Sequence, residues 1–431
     1  MNTIAAIELG SSKIACAVAT VNIDHDTSVR ITGFSTVPSK GVKRAQIIDI
    51  QETVKSLELC LTQAERMAGS RINHAVVITG GPHIASQTSH GIVAVNVQNK
   101  EIGEEDVGRA IESAQAISLA ANRQIIHVLP KEFIVDGQMG IKNPVGMNGV
   151  RLEVDTHIIT ANATNLSNIQ KACSQLGVDV SAYVFSGLAA AYAVVNETEK
   201  ELGCVVLDIG AGTTELCVYI DGSVAHTASV PLGSKNVTSD IAAGLRISLP
   251  SAEKIKLFLG ERQNPKSSKL LHKKADDNID EISIASLALP EKMDSISQKV
   301  VVSGIIKPRL EEIAEYIKKE LTDYNLKDQV PAGLIATGGG SMTPYLVEVL
   351  KKELGVPVRI GMPMELSGIS DELHDPSYSP LVGALLYSQE ERPSDKPFNI
   401  PQLPQFFKNV DFKNNFGKVV DFFKSFVPGS K

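Results

Sequence analysis

The stretch "LDIGAGTTEL", residues Leu207–Leu216, decides the fold. An apolar run ends on Asp208, Gly210 and Gly212 flank Ala211, and the pair Thr213 and Thr214 leads into another apolar run, "LCVYIDGSVAHTASV". About two hundred residues earlier "IAAIELGSSKI" (Ile4–Ile14) has the same build, with Glu8, Gly10, Ser11, Ser12 and Lys13, and continues as "IACAVATV". Both continuations are rich in Val, Ile or aromatic residues, so each unit reads as a strand–loop–strand hairpin. A lone hairpin of this kind is an ordinary turn. Two that keep the acid-x-Gly register point to a duplicated chain whose halves face each other.

The same continuations exclude the commonest rivals. A dinucleotide fingerprint places GxGxxG at the start of a helix, whereas Gly210-x-Gly212 lacks the third glycine and opens a strand. No GxxxxGK[ST] occurs. Glycine lets backbone N–H groups surround an anion, and the hydroxyls of Ser11, Ser12, Thr213 and Thr214 add donors. Lys13 would bring a cation to bound phosphates. Glu8 and Asp208, at strand ends, are suited to hold Mg²⁺ directly or through water. One hairpin from each half would clamp a single polyphosphate.

The totals set bounds on this reading. A chain of 431 residues accommodates about two to four domains. A net charge of −7 argues against nucleic acid as a partner. Cys16, Cys60, Cys173, Cys204 and Cys217 are isolated, without metal-ligand spacing, and read as reduced core residues of a cytoplasmic protein. The N-terminus "MNTIAAIELG" has no basic region and is not expected to be a signal peptide. The longest uncharged stretch, "VSAYVFSGLAAAYAVV" (Val180–Val195), is short for a membrane span. It reads as a strand end, a Ser186-Gly187 turn and a core helix.

Two phosphate hairpins from facing halves resemble the actin, sugar-kinase and heat-shock-chaperone ATPase superfamily. "LIATGGGSMTP" (Leu334–Pro344) resembles its adenosine loop, which implies that Gly338, Gly339 and Gly340 pack against adenine. "SAEKIKLFLG" (Ser251–Gly260) resembles its A-E-x-x-K helix, which implies ribose contacts from Glu253 and Lys256. Within the superfamily the chain resembles the FtsA family of bacterial cell-division proteins over nearly its whole length. The most specific block is "IIHVLPKEFIVDGQMGIKNPVGMNGVRLEVDTHIITA" (Ile125–Ala161), read as strand, Asp136-Gly137 turn, Gly/Pro loop and alternating strand. With "SHGIVAVN" and the helical stretch "EEDVGRAIESAQAISLAA" (Glu104–Ala121), it is similar to that family's inserted subdomain.

The resemblance implies an α/β, actin-like two-domain ATPase fold of duplicated RNase H-like domains, with an FtsA-type insertion and a C-terminal amphipathic helix. Its subdomains would be 1A (1–83, 163–198 and the helix 380–391), 1C (84–162), 2A (199–232 and 304–379) and 2B (233–303). A linker (392–408) and a terminal helix (409–428) would follow. The cofactors implied are ATP and Mg²⁺. Two departures from the family pattern bear on chemistry. Glu8 and Glu215 stand where Asp is frequent, a methylene longer, so metal contact through water is expected. Ser186-Gly187 stands where chaperone and filament relatives of the superfamily usually carry a Glu-Pro whose carboxylate helps position the attacking water, and serine is no carboxylate base at neutral pH. Tight binding with slow or negligible hydrolysis is expected, and no catalytic residue is assigned.

The tail changes character. "RPSDKPFNIPQLPQ" (Arg392–Gln405) has four prolines in fourteen residues and reads as an extended linker, reaching roughly 25–60 Å. In the last 26 residues Phe412, Phe416, Val419, Phe423 and Phe426 form an apolar helical stripe, with Val420 beside it. Lys418 and Lys424 lie opposite, and five lysines face two aspartates. A core helix packed back on the body is one reading; an interfacial helix on anionic lipid fits better. Each inserted Phe would contribute about 2 kcal/mol before ordering costs, and each well-placed lysine about 1 kcal/mol.

The family resemblance implies a polymerising tether at the cytoplasmic face of the inner membrane, at the division septum. It would hold the C-terminal peptide of the tubulin-like FtsZ through subdomain 2B, and later division proteins through 1C. Lys307 and Arg309 are candidate contacts for an acidic peptide, or equally a solvated helix face. The region "NPKSSKLLHKKADDNIDEIS" (Asn264–Ser283) reads as a mobile loop. A sugar or acid kinase of the same fold would need a catalytic Asp outside the hairpins, and none is evident. A pilus-assembly scaffold would have no use for a lipid-binding helix.

Overall fold

Two sheets of the same design organise the chain. The computed structural model describes residues 2–22, 28–95, 101–263, 280–369 and 371–390. In the first sheet β1 (Asn2–Leu9) pairs antiparallel with β2 (Lys13–Asn22), and β2 with β3 (Ser28–Pro38). On the other side of β1, β6 (His74–Thr79) and then β11 (Asp179–Phe185) add in parallel. In the second sheet β12 (Cys204–Ile209), β13 (Thr214–Ile220) and β14 (Ser223–Val230) repeat the antiparallel part. Here β17 (Leu334–Thr337) and β18 (Val358–Ile360) repeat the parallel part. The duplication read from two hairpins therefore extends to whole sheets.

Residue alternation along these strands explains the layering. Ile7, Leu9 and Val77 point outward onto Leu57 and Leu61 of α1 (Ile50–Ala68) and Ile169 of α3 (Ala163–Ser174). Ile4 and Ala6 from the first sheet, and Val206 and Cys217 from the second, point inward onto one shared core. That core holds α4 (Ser186–Val194) and α10 (Ser379–Glu390) between the sheets. A helix covered on every side is apolar on every side, as Leu188, Ala189, Ala190 and Ala191 are. Beyond the second sheet Val205 and Leu207 pack on α6 (Ser234–Leu245), α7 (Leu249–Gln263), α8 (Lys307–Asp323) and α9 (Leu346–Leu354). The short α5 (Glu197–Leu202) lies where the chain passes from one half to the other.

The insertion is a third sheet, in the order β7 (Ala85–Ala94), β10 (Arg151–Asn162), β8 (Arg123–Val135), β9 (Gln138–Ile141), with α2 (Glu104–Gln115) across it. The Asp136-Gly137 turn has the two left-handed residues of a tight hairpin. This sheet also meets the second half: Ser86 Oγ donates to Thr227 O at 2.8 Å, and Ser223 Oγ to Lys131 O at 2.8 Å. Three small pieces complete the list. β4 (Val42–Lys43) and β5 (Gln46–Ile47) form a hairpin, β15 (Glu281–Ser283) pairs with β16 (Ser295–Ser297), and β19 (Ser367–Gly368) joins β3.

Four expectations need correction. The helix expected over Glu104–Ala121 stops at Gln115, because Ile117 and Leu119 both turn to the same core, a spacing of two that a helix cannot meet. Ser186 and Gly187 do not form a turn but open α4 itself. The end of the loop expected over Asn264–Ser283 is strand β15, and residues 264–279 lie outside the described residues. The chain returns to the first half before residue 379, since β19 already belongs to the first sheet.

The two buried helices approach so closely that a Cβ at Gly383 would fall on the Ala189 carbonyl. Gly383→Ala is expected to destabilise the protein by about 3 kcal/mol, read from the urea midpoint.

Candidate functional site

The two glycine loops have the same length and face each other. Leu9 pairs with Ile14 across the first and Ile209 with Thr214 across the second. Between them lies a cavity of about 210 Å³, open to solvent. Its walls include Gly10, Ser11, Ser12 and Lys13 from one side and Gly210, Ala211, Gly212 and Thr213 from the other. Glu253 and Lys256 of α7 and the Gly338–Gly340 turn close it, with Glu8 and Asp208 at its floor. Sites named from stretches hundreds of residues apart thus meet in one place. Thr214 does not: successive strand residues point to opposite faces, and its hydroxyl donates to Leu232 O at 2.9 Å inside the second half.

The three glycines of the adenosine-like turn divide their work. Gly338 has φ +78°, and a Cβ there would strike the Asp208 carboxylate; one on Gly340 would come within 2.5 Å of Ile209. Both are needed to seat the turn on the end of β12. Gly339 instead faces the cavity, with only Ser377 in range of an added Cβ.

Charge gives the site its character. Burial pushes the Glu8 carboxyl up to about 7; Lys13 pulls it down and Asp208 adds to the rise. Burial likewise raises Glu215 to about 7, against a hydrogen bond from the Gly81 N–H, with Asp208 adding to the rise. Asp208 is also raised by burial, although the Ser186 hydroxyl donates to its carboxylate and Lys13 lies near. One oxygen each of Glu8 and Glu215 is buried without a hydrogen-bond partner. Such orphaned oxygens fit a divalent cation, which would favour their ionised forms. Among the described residues no group of three or more His, Cys, Asp or Glu is arranged to hold a metal alone. A Mg²⁺ ion commonly takes one or two carboxylates and completes its shell with water and phosphate oxygens.

The cations are already engaged. Lys13 Nζ donates to Ser377 O at 2.5 Å and lies 3.5 Å from the Tyr378 ring centre. Lys256, buried, donates to Thr238 at 3.0 Å and pairs with Glu253 at 2.9 Å, tying α7 to α6. Lys235, at the start of α6, reaches across the cavity to Ser11 O at 2.5 Å. The sequence reading missed Lys235; Gly233 just before α6 was the available signal, since a helix N-terminus is a place for anions.

It also missed two loops of the first half. Gly81 donates its N–H to Glu215 Oε1 at 2.8 Å, joining the halves beside Ser186. The pair Gly80-Gly81 after an apolar strand repeats the cue used elsewhere. In the β4–β5 turn, Ala45 N–H donates to Ser11 Oγ at 3.0 Å. That turn carries neither Gly nor Asn, so nothing marked it.

The nominated peptide contacts are held within the chain. Lys307 pairs with Glu348 at 2.6 Å, and Arg309 bonds Asp240 at 2.6 and 3.1 Å and also pairs with Glu312. The tail residues Phe412, Phe416, Lys418, Val419, Val420, Phe423, Lys424 and Phe426 lie outside the described residues. Among the described residues no helix is long and apolar enough to cross a membrane.

Comparison with known proteins places this geometry. The family model "SHS2 domain inserted in FTSA" matches residues 81–160, and "Cell division protein FtsA" matches residues 205–383. The cell division protein FtsA of Pseudomonas aeruginosa is 34% identical over 389 residues, 90% of each chain. That of Borreliella burgdorferi is 35% identical over 396 residues, covering 92% of this chain and 93% of the relative. That of Escherichia coli K12 is 32% identical over 391 residues, covering 89% and 90%. Among solved structures, the PilM–PilN type IV pilus biogenesis complex aligns with TM-score 0.62 at 16% identity, covering 90% of this chain and 98% of that one. MreB5 of Spiroplasma citri bound to ADP aligns with TM-score 0.51 at 13% identity, covering 90% and 96%. These two likenesses establish the fold.

Two measurements probe the site. Glu8 and Glu215 bind protons more tightly folded than unfolded, so their contribution is full below pH 4.5 and lost as pH rises through about 7. Without metal and nucleotide, stability should therefore fall across that window in urea titrations, and Glu215→Gln should flatten the slope. Gly339→Val should weaken nucleotide binding at least about tenfold, or 1.4 kcal/mol, with little change in Tm.

Proposed function

The chain belongs to the FtsA family of cell division proteins, and from that membership we propose that it is an ATP-binding, polymerising tether between the FtsZ ring and the cytoplasmic membrane. The observation that carries the nucleotide part is the cavity itself. Two glycine loops from duplicated sheets meet there with the Gly338–Gly340 turn and the Glu253–Lys256 face of α7. In this reading Gly10–Ser12 and Gly210–Thr213 hold the phosphates by backbone N–H and hydroxyl donors. Gly339 would leave room for adenine, and Glu253 and Lys256 would contact ribose. Glu8 and Asp208 hold Mg²⁺, directly or through water; when bound, the ion would screen the carboxylates from the phosphates.

Ser186 supports a slow-hydrolysis reading. Its hydroxyl is committed to Asp208, and it offers no carboxylate with which to orient a water. ATP then acts chiefly as a ligand that favours one arrangement of the halves, and assembly follows from that arrangement. The membrane part rests on the phenylalanine stripe and lysines of residues 409–428, and the division-ring part on the family. FtsZ would engage subdomain 2B by its C-terminal peptide; if Lys307 or Arg309 takes part, its present acidic partner must be exchanged for one on the peptide. Later division proteins would meet the inserted subdomain. Single tails bind lipid reversibly, and a filament would multiply their hold.

The test is co-sedimentation with anionic liposomes, with ATP or ADP, for the full chain and one truncated after Gln405. The full chain alone should pellet, and more with ATP. Equal pelleting of both chains, or of neither, would defeat the tether reading and return weight to a scaffold or kinase of the same fold.

A further inference from the structure

Deepening the polyphosphate reading of the cavity, on which it rests, we propose that Arg44 is a terminal-phosphate contact that lets the site tell a triphosphate from a diphosphate. Lys43 pairs with Gln46, leaving Arg44 and Ala45 as a two-residue turn with φ of 50° and 56°. Turns of this hand favour Asn-Gly, because a Cβ is strained there. A long cation at a position where glycine would be unstrained needs a reason outside folding.

Position supplies one. Ala45 lines the cavity and gives its N–H to Ser11 of the first loop at 3.0 Å. A Cβ on Gly212 of the second loop would come within 3.2 Å of the Arg44 nitrogen and α-carbon. The Arg44 carbonyl lies against Gly81, where an added Cβ would stand 2.6 Å away. The turn therefore sits over both loops at once, from the first half onto the second. Gly212 has to be glycine there partly because Arg44 occupies the space.

Charge completes it. Lys13, Lys235 and Lys256 are each bound to acceptors of the protein. Arg44 is exposed, and its guanidinium has no ion pair or hydrogen bond among the described residues. It is an uncommitted cation next in sequence to Ala45 of the cavity wall, and that cavity is also lined by the carboxylates of Glu8, Asp208 and Glu215. A guanidinium pairs with phosphate oxygens through two parallel N–H donors. A polyphosphate clamped by the two loops would lie beside this turn, which touches both of them.

The test compares wild type, Arg44→Gly and Arg44→Lys in fluorescent-nucleotide titrations, with Mg²⁺ and either ADP or a non-hydrolysable ATP analogue. Arg44→Gly should bind the ATP analogue about tenfold more weakly and ADP within twofold of wild type. Its Tm should be equal or higher, since glycine relieves the left-handed strain. Arg44→Lys should recover part of the loss. An unchanged ATP-to-ADP ratio in Arg44→Gly, or an equal loss of both, overturns the proposal while the cavity reading stands. If wild type binds neither nucleotide, the cavity reading fails and the proposal falls with it.

Discussion

Between the two sheets there is room for one layer of helix, and α4 and α10 fill it side by side. Their approach is set by the missing side chain of Gly383 against the Ala189 carbonyl. Everything at the cavity depends on that spacing. The hairpins project from corresponding edges of the two sheets, so the thickness of the buried layer fixes the gap between their loops. A wider layer would leave two separate anion sites, each too weak to hold a polyphosphate. Interiors pack too densely for the gap to be adjusted continuously, so with the proposed nucleotide bound a change of its state would call for rotation of one half against the other.

The two crossings between the halves are tied to each other. Arg359 of β18 makes a two-pronged pair with Glu199, at 2.7 Å for each prong, and donates to Val194 O at 2.7 Å. It thereby ties the strand that precedes one crossing between the halves to the helix ends at the other. On the opposite edge the inserted sheet rests on β14 through Ser86, His157 and Ser223. These bonds join the insertion to the second half, so a partner surface on the insertion, as proposed, would be mechanically linked to the cavity.

The cavity combines two conflicting demands. Carboxylates at the strand ends suit a dication but repel phosphate, and in a low dielectric each of them resists ionisation. The protein meets this with partners drawn from both halves. Ser186 bonds Asp208, Gly81 bonds Glu215, and Lys13 stands near both Glu8 and Asp208. What remains unsatisfied, one oxygen each on Glu8 and Glu215, marks where a cation would matter most.

By itself the sequence determined what is local and repeated. Apolar runs on either side of the acid-x-Gly loops marked both hairpins, because strand propensity and turn chemistry act over a few residues. The Gly338–Gly340 turn, the α7 face and the Asp136-Gly137 turn were legible for the same reason. Only the tertiary structure decided which groups meet. Glu8 and Asp208 are two hundred residues apart in sequence and share a floor; Lys13 is held by Ser377, and Thr214 turns inward while Thr213 lines the cavity. Neither Gly80-Gly81 as a bridge nor the Arg44-Ala45 turn could be read in advance. Their roles arise from contacts across the cleft, and no short-range pattern encodes which distant backbone a residue will touch.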